Sequence, residues 1–311
     1  MKRIFLLHIG LIVLLFFAQF VLPTYHQGVM ARIMVMAVFA MGYNLMFGYT
    51  GLLSLGHAMF FAAGMYGCGL AIKLAGAGVV VALGAGLASA AILALVVGLL
   101  ALRTIGVGFM IVTLMFAQTL YLVILYFGTY TRGDEGFALA ADSRILAGID
   151  LTQPTARYFA AWVLFSGVLL GILALVRSRR GRVMVAIREN EERARMLGYD
   201  IWRHKLVVVI LSGTISGAAG ATYALLFGYV GASFAQVPYS IFPLLWVLLG
   251  GPGTVLGPFI GTLFMFYLVD ISSGLTDAWM LVVGVTLVLL TLFLPKGLLG
   301  SLRARGVKWL V

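Results

Sequence analysis

Long runs of apolar residues, separated by short polar or glycine-rich stretches, fill most of the chain. A helix of about 18 or more apolar residues is long enough to cross the hydrocarbon core of a bilayer. The runs predict ten membrane crossings, at residues 4–22, 29–47, 53–73, 78–101, 104–128, 155–176, 205–230, 238–250, 254–270 and 278–295. The fold class is therefore predicted to be all-α: a polytopic integral membrane protein with about ten transmembrane helices, forming one transmembrane domain over residues 1–311.

The positions of the cations predict the orientation of the helices. Lys and Arg near the ends of membrane helices are retained on the cytoplasmic side. The cations that flank the first and last crossings are Lys2, Arg3, Lys296, Arg303, Arg305 and Lys308. Both termini are therefore predicted to be cytoplasmic, which requires an even number of crossings. Six of the ten acids then fall outside: Asp134, Glu135, Asp142, Asp150, Asp270 and Asp277.

Composition excludes several classes of function. The net charge is +11, but the cations cluster beside predicted crossings, so nucleic acid is not predicted as a partner. The single Cys68 excludes a disulfide framework within the chain and a cysteine zinc cluster. No pair of acids lies within the predicted crossings, which weakens the case for a proton- or sodium-coupled carrier and for an intramembrane enzyme.

A phosphate-binding loop is also missing from the sequence. That motif ends in Gly-Lys-Ser/Thr, and none of the five lysines of this chain follows a glycine. If the protein moves a solute uphill, a separate subunit is therefore expected to supply the energy. No catalytic constellation is present, which argues against an enzyme.

A basic segment, residues 177–205, interrupts the apolar pattern with nine cations and four acids. Residues 183–197 have helical periodicity, and two acid–base pairs four residues apart, Glu189–Arg193 and Glu191–Arg195, have the favourable order for a helix. Gly198 is a plausible stop. A cytoplasmic amphipathic helix in this loop can lie on the lipid surface, dock on a partner, or cap the helix bundle, and the segment alone leaves all three open.

Another stretch, residues 44–57, is unusually polar for its position within or beside predicted crossings. Its glycines permit an unwound or sharply turned backbone, and polar groups at membrane depth need partners. The candidates for a translocation path are Asn44, Tyr49, Thr50, Ser54 and His57. A structural network between helices is the alternative interpretation.

Two further segments have features of packing or of broken helices. Segment 238–250 is short and is followed by Gly250-Gly251-Pro252-Gly253, which predicts either a tight hairpin or a partly re-entrant element. Segment 205–230 carries small residues four apart, which predicts close helix packing, with a small-residue lining along a pathway as the alternative. Residues 129–154 form a polar outer loop that either covers a pore mouth, receives an external partner, or is simply solvated.

Four motifs of the sequence resemble those of one family. They are GYTGLLSLGHA at 48–58, GRVMVAIRENEERARMLGY at 181–199, GGPGTVLGP at 250–258, and Thr131-x-Gly133-x-x-Gly136, in which Arg132 stands where glycine is usual. The chain resembles, over nearly its whole length, the inner-membrane permease subunits of branched-chain amino-acid ABC transporters, the LivM-like members of the LivHM permease family. These motifs do not specify the substrate.

The resemblance implies an assembly and a substrate class. It implies a second related permease, two cytoplasmic ATP-binding subunits that hold ATP and magnesium, and a periplasmic substrate-binding protein, all at a bacterial inner membrane with its lipid. No cofactor is expected on this chain. The favoured substrate is a branched-chain or other hydrophobic amino acid, with urea, short amides and other amino acids as alternatives. A less favoured alternative for the protein class is a stand-alone channel or secondary carrier.

The resemblance also implies which residues couple the permease to its ATPase. In such permeases a cytoplasmic loop docks into a groove of the ATP-binding subunit, and here that loop corresponds to residues 186–198. The residues expected to carry the coupling are Ala186, Ile187, Arg188, Glu189, Asn190, Glu191, Arg193, Ala194, Leu197 and Gly198.

Overall fold

The computed structural model describes residues 2–294 and 296–304. Arg305 and Lys308, which entered the orientation argument, and Pro295, at the end of the last predicted crossing, lie outside the described residues. The α-helices are α1 (Lys2–Val21), α2 (Thr24–Thr50), α3 (Ala58–Ala75), α4 (Val79–Ala101), α5 (Val107–Tyr126), α6 (Gly128–Thr131), α7 (Pro154–Arg177), α8 (Arg179–Glu189), α9 (Glu191–Met196), α10 (Ile201–Phe227), α11 (Val237–Gly250), α12 (Gly257–Leu275), α13 (Trp279–Phe293) and α14 (Gly297–Ala304).

Each of the ten predicted crossings coincides with one helix, so the all-α membrane fold is confirmed. Within the described residues, eight helices are long and apolar enough to span a bilayer: α1, α2, α3, α4, α5, α7, α10 and α12. The other two, α11 and α13, have 14 and 15 residues. At about 1.5 Å per residue, α11 covers roughly 21 Å, less than the ~30 Å hydrocarbon core.

The α11–α12 pair is a tight hairpin, one of the two arrangements that the short segment and its glycines predict. A Cβ on Gly261 of α12 would lie 1.8 Å from the Trp246 carbonyl oxygen of α11. A Cβ on Gly250 would lie 1.8 Å from the Gly257 carbonyl oxygen. Only glycine allows the two backbones to approach this closely.

Helix α2 lies at the centre of the bundle. It is almost completely buried and packs against α7, α10, α11 and α12, whereas only a small share of α1, α4 and α5 is buried. A helix that is apolar around its whole circumference is expected in such an interior position. Its burial places the polar residues at its C-terminal end inside the protein.

Small residues on α10 let it contact its neighbours closely. The Ser212 hydroxyl donates to the Gly42 carbonyl of α2 over 2.6 Å. A Cβ on Gly217 would lie 2.1 Å from the Ala90 Cβ of α4. The packing interpretation of the small residues in 205–230 is thus confirmed by backbone contacts that larger side chains would prevent.

The outer loop folds back on the end of α10. The strands are β1 (Phe137–Ala138), β2 (Ile145–Leu146), β3 (Ile149–Asp150) and β4 (Tyr229–Val230). β1 pairs antiparallel with β4, and β2 with β3. Short 3-10 helices cover Ala141–Arg144 and Ala232–Ala235. The loop is therefore attached to the helix bundle, and is not merely a solvated link.

Arg132, at the start of this loop, has φ +62°, a left-handed conformation that a side chain disfavours and glycine adopts freely. We expect Arg132→Gly to stabilise the folded protein by about 0.5–1 kcal/mol, the strain relieved minus the entropy that glycine adds to the unfolded chain. Thermal unfolding of the purified protein in detergent measures this. Thr129→Gly, at a nearby residue without positive φ, should be destabilising; stabilisation by both variants would contradict the explanation.

Candidate functional site

A non-helical segment, residues 51–57, separates α2 from α3, and its second half is largely buried. Gly51 ends α2 with φ +77°, and its N–H donates to the Phe47 carbonyl over 3.0 Å. Ser54 and His57 in this segment are completely buried. The unwound backbone that the glycines predict is therefore present, and its buried part runs from Ser54 to His57.

Polar side chains from neighbouring helices bind this segment. The Tyr43 hydroxyl of α2 donates to the Ser54 carbonyl over 3.1 Å. The His57 Nε2 and the Ser216 Oγ of α10 lie 2.7 Å apart, a hydrogen bond across the bundle. The segment is thereby fixed to both α2 and α10.

Asn44 joins α2 to the turn between α11 and α12. Its side-chain amide donates to the Thr254 carbonyl over 2.9 Å, and its Oδ1 accepts from the Gly253 N–H over 3.0 Å. Gly48, one turn further along α2, completes this contact: a Cβ there would lie 1.9 Å from Asn44 Oδ1 and 2.6 Å from the Gly253 nitrogen. The α2 terminus and the hairpin turn therefore form one closely packed junction.

The five residues proposed for the translocation path lie near this junction and are all buried: Asn44, Tyr49, Thr50, Ser54 and His57. The Thr50 hydroxyl donates within its own helix, to the Leu45 carbonyl over 3.3 Å. None of the five lines the large cavity described below. These contacts agree with a structural network between helices, and a role for the five in transport stays a prediction.

The loop 177–205 contains two helices, α8 and α9, so the prediction of one helix over 183–197 is wrong. Asn190 has extended backbone between α8 and α9, and its Oδ1 accepts from the Arg193 N–H over 2.8 Å, which caps α9. The Glu191–Arg195 pair forms at 3.7 Å. Glu189–Arg193 does not appear among the ion pairs of the described residues, because the break at Asn190 removes the helical spacing.

A small apolar cluster, separate from the main core, holds the two helices together. Its members are Val183 and Ile187 of α8, Ala194 of α9 and Ile201 of α10. Of the ten residues assigned to coupling, Ile187 and Ala194 are thus buried. The other eight are at least partly exposed: Ala186, Arg188, Glu189, Asn190, Glu191, Arg193, Leu197 and Gly198.

Two polar contacts connect this loop to the long helices. The Arg188 guanidinium donates to the Gly48 carbonyl at the C-terminal end of α2. Cations are favoured at such ends because the last carbonyls of a helix lack partners within it. The Lys205 ammonium of α10 binds the Glu191 carboxylate at 2.6 Å, with the lysine side chain only 13% exposed.

The outer face of the loop is apolar at one end. Met196 and Leu197 are 84% and 70% exposed. Tyr199 and Trp202 are also exposed. Gly198 has φ +86°, which confirms it as the end of the helical region. We refer to Met196, Leu197, Tyr199 and Trp202 as the exposed apolar patch.

A cavity of about 560 Å³ lies between α2, α7, α10, α11 and α12. Its lining includes three charged residues that the sequence analysis did not single out: Arg32, Arg157 and Asp270. The sequence could have marked Arg32 as a functional candidate. It is the one charged residue in the predicted crossing 29–47, and a charge inside a membrane helix is energetically costly. Asp270 was predicted to lie at the outer end of crossing 254–270. Because α12 continues to Leu275, Asp270 instead lies within the helix. Among the described residues, no group of His, Cys, Asp or Glu is placed to hold a metal ion.

Comparisons with known proteins give one consistent result. Residues 26–291 match the family described as "Branched-chain amino acid transport system / permease component". The chain is 28% identical over 294 residues to the high-affinity branched-chain amino acid transport system permease protein LivM of Salmonella typhimurium, covering 87% of this chain and 69% of the relative. The same figures hold for LivM of Escherichia coli.

A shorter similarity extends to a permease with another named substrate. Over 109 residues the chain is 31% identical to the Autoinducer 2 import system permease protein LsrC of Klebsiella pneumoniae, covering 33% of this chain and 32% of the relative. No solved structure matches the chain significantly.

Proposed function

Because this chain belongs to the family of permease components of branched-chain amino acid transport systems, we propose that it forms the translocation path of an ATP-driven importer for branched-chain amino acids. As an ABC transporter permease it is not itself an enzyme. The 28% identity to LivM supports the substrate class, and the similarity to LsrC makes other small polar solutes the alternative to test.

The proposed assembly contains a second related permease, two cytoplasmic ATP-binding subunits and a periplasmic binding protein, in a bacterial cytoplasmic membrane. Several helices of this multi-pass chain expose apolar faces, α1 most of all. Such faces need lipid or a partner helix around them. The permease and lipid contacts are proposed there, and the ATP-binding subunits at the opposite, cytoplasmic loop.

One observation supports the coupling role: the loop has exposed apolar residues next to α9 and, through Arg188, a direct hydrogen bond to α2. Exposed apolar residues grouped on a surface outside the membrane mark a site for a partner. Movement of an ATP-binding subunit docked on this patch reaches α2 through Arg188 and Gly48, and reaches α10 through Glu191 and Lys205.

Gating then follows from differential contacts. A partner shifts a conformational equilibrium only as far as it binds one state better than the other. Closure of the ATP-bound dimer moves the docked α9, and the junction of Asn44, Gly48 and Gly253 transmits that movement to the α11–α12 hairpin. The translocation path thereby switches between inward and outward access.

The test is co-purification from native membranes with a tag on this chain. The wild-type chain is expected to recover an ATP-binding subunit and a second permease, identified by mass spectrometry. Leu197→Asp is expected to reduce recovery of the ATP-binding subunit roughly tenfold or more, because an unpaired charge in the desolvated centre of an interface costs several kcal/mol. Recovery of the second permease should not change.

Ile149→Asp is the matched control, since Ile149 is a similarly exposed apolar residue, 58% accessible, on the outer loop. It should leave recovery of both partners unchanged. Equal recovery of the ATP-binding subunit by Leu197→Asp and Ile149→Asp would contradict the docking role of the patch. A wild-type chain that recovers no ATP-binding subunit would contradict the importer itself.

A further inference from the structure

The 560 Å³ cavity opens at the end of the bundle that is predicted to face outward. Its lining comes from the N-terminal parts of α2 and α7, the last residue of α10, one face of α11 between residues 239 and 246, and the second half of α12. By the orientation argued from the cations, all of these ends lie outside. Its volume is within the ~300–1,000 Å³ range of small-molecule sites.

Two cations share one aromatic ring at this cavity. The Arg32 and Arg157 guanidinium carbons lie 5.1 and 5.4 Å from the centroid of Phe227. The ion pairs and hydrogen bonds of the described residues give Arg32 no partner beyond this ring. Arg157 has one hydrogen bond, donating to the Thr152 carbonyl over 3.0 Å. Two neighbouring guanidinium groups without a carboxylate partner favour an anionic ligand, which arginine binds in a planar, two-point geometry.

An acid lines the same cavity from the opposite helix. Asp270 of α12 accepts a hydrogen bond of 2.5 Å from the Tyr25 hydroxyl. It forms no ion pair among the described residues, although Arg32 and Arg157 line the same space. An ionised carboxylate with a free oxygen is a suitable acceptor for an ammonium group.

Apolar groups fill the lining between the charges. Phe227, Phe242, Trp246 and Met265 line the cavity, and Phe242 and Trp246 stack with 6.0 Å between their ring centroids. Mostly apolar walls with a few polar groups that fix orientation are the usual composition of a small-ligand site. The site therefore offers an anion-binding pair, a cation-binding acid and an apolar wall.

We propose that this cavity binds a zwitterionic, hydrophobic α-amino acid, with its carboxylate at Arg32 and Arg157, its ammonium at Asp270 and its side chain against the aromatic wall. The inference rests on the proposed function and adds to it a recognition site within the permease. It predicts that the permease itself discriminates between an amino acid and analogues that lack either charge.

The experiment measures binding of radiolabelled leucine to the purified, detergent-solubilised complex, without any binding protein. The competitors are leucine, 4-methylpentanoate, which lacks the ammonium, and 3-methylbutylamine, which lacks the carboxylate. The wild type is expected to prefer leucine to both analogues by roughly tenfold or more, since each analogue leaves a charged partner without its ligand group.

Two variants should change this discrimination in opposite directions. Arg32→Gln is expected to weaken leucine and 4-methylpentanoate roughly tenfold and leave 3-methylbutylamine unchanged. Asp270→Asn is expected to weaken leucine and 3-methylbutylamine and leave 4-methylpentanoate unchanged. The matched controls Arg132→Gln and Asp277→Asn, both exposed and on the outer side, should leave all three affinities unchanged.

Several outcomes would overturn the site. They are no leucine binding by the wild type, equal loss of all three ligands in the variants, and release of a co-purified anionic phospholipid from Arg32→Gln with leucine binding intact. The last result would assign the arginines to a lipid phosphate. None of them alters recovery of an ATP-binding subunit, so failure of this site is distinguishable from failure of the proposed importer.

Discussion

Gly220→Val is expected to destabilise the protein by about 3 kcal/mol or more. A Cβ on Gly220 of α10 would lie 1.9 Å from the Phe61 carbonyl oxygen of α3, and a Cβ on Gly64 of α3 would lie 2.0 Å from the Gly217 carbonyl oxygen. In both cases the clashing atom is a backbone carbonyl oxygen. No side-chain rotation can relieve the clash, so the two helices must separate. Overpacking of a tight core typically costs about 1–3 kcal/mol and sometimes more.

Unfolding of this part of the bundle can be measured by labelling the chain's single cysteine. Cys68 lies on α3 and is completely buried, so a thiol-reactive fluorogenic dye labels it only when this part of the bundle opens. Heating the detergent-solubilised protein with the dye should show Gly220→Val labelled at a much lower temperature than the wild type.

Gly84→Ala is the control. Gly84 is on α4, and a Cβ there meets no heavy atom within 4 Å. Because alanine is the better helix former by up to about 1 kcal/mol, this variant should be unchanged or slightly stabilised. If Gly220→Val labelled at the same temperature as the wild type, the close α3–α10 contact would be wrong.

The hydrophobic pattern was enough to locate the helices because the bilayer imposes one requirement on every segment. Lipid offers no hydrogen bonds, so each long apolar run forms a helix whose backbone groups bond to one another. The same requirement made the polar, glycine-containing stretch 44–57 stand out, and residues 51–57 are indeed non-helical. Where lipid does not constrain the chain, in the loop 177–205, the prediction was less accurate.

The break at Asn190 shows what periodicity misses. Val183, Ile187 and Ala194 all face one apolar cluster, so the pattern looks continuous through two helices. A local signal was present, since Asn190 followed by Glu191 and Glu192 is a typical helix start, with a capping side chain and acids in the first turn. The capping sequence at Asn190 predicts a new helix, and it should have outweighed the continuous apolar periodicity, which predicts one helix.

The cavity could not be predicted from the sequence, because its lining residues come together only in the tertiary structure. Its three charged residues come from three helices, α2, α7 and α12, and each is a single charge within a long apolar pattern. No spacing along the chain connects them. Each of the three is the one charge of a predicted crossing, 29–47, 155–176 or 254–270, but none of these signals identifies the other two as neighbours.

Asn44→Leu is expected to weaken the junction between α2 and the α11–α12 turn and to reduce transport. Asn44 is buried and satisfies two backbone groups of that turn, the Thr254 carbonyl and the Gly253 N–H. Leucine has a similar size but no polar atom, so both groups lose their partner. A buried polar group left unsatisfied costs about 1–3 kcal/mol, which gives a total of roughly 2–6 kcal/mol.

Two measurements on the same variant separate stability from coupling. Thermal labelling of Cys68 should report the loss of stability. In proteoliposomes of the complete complex, below the unfolding temperature, ATP hydrolysis should continue while leucine uptake falls, because the substitution spares the proposed docking site on α9 but weakens the link from α2 to the hairpin.

Met41→Leu is the matched control, since Met41 is equally buried on α2, and a swap that conserves volume usually costs less than about 1.5 kcal/mol. It should retain both stability and uptake. If Asn44→Leu kept wild-type uptake and wild-type labelling of Cys68, the junction would have no mechanical role. Movement of the ATP-binding subunits would then have to reach the translocation path through the other contact of the loop, between Glu191 and Lys205 on α10.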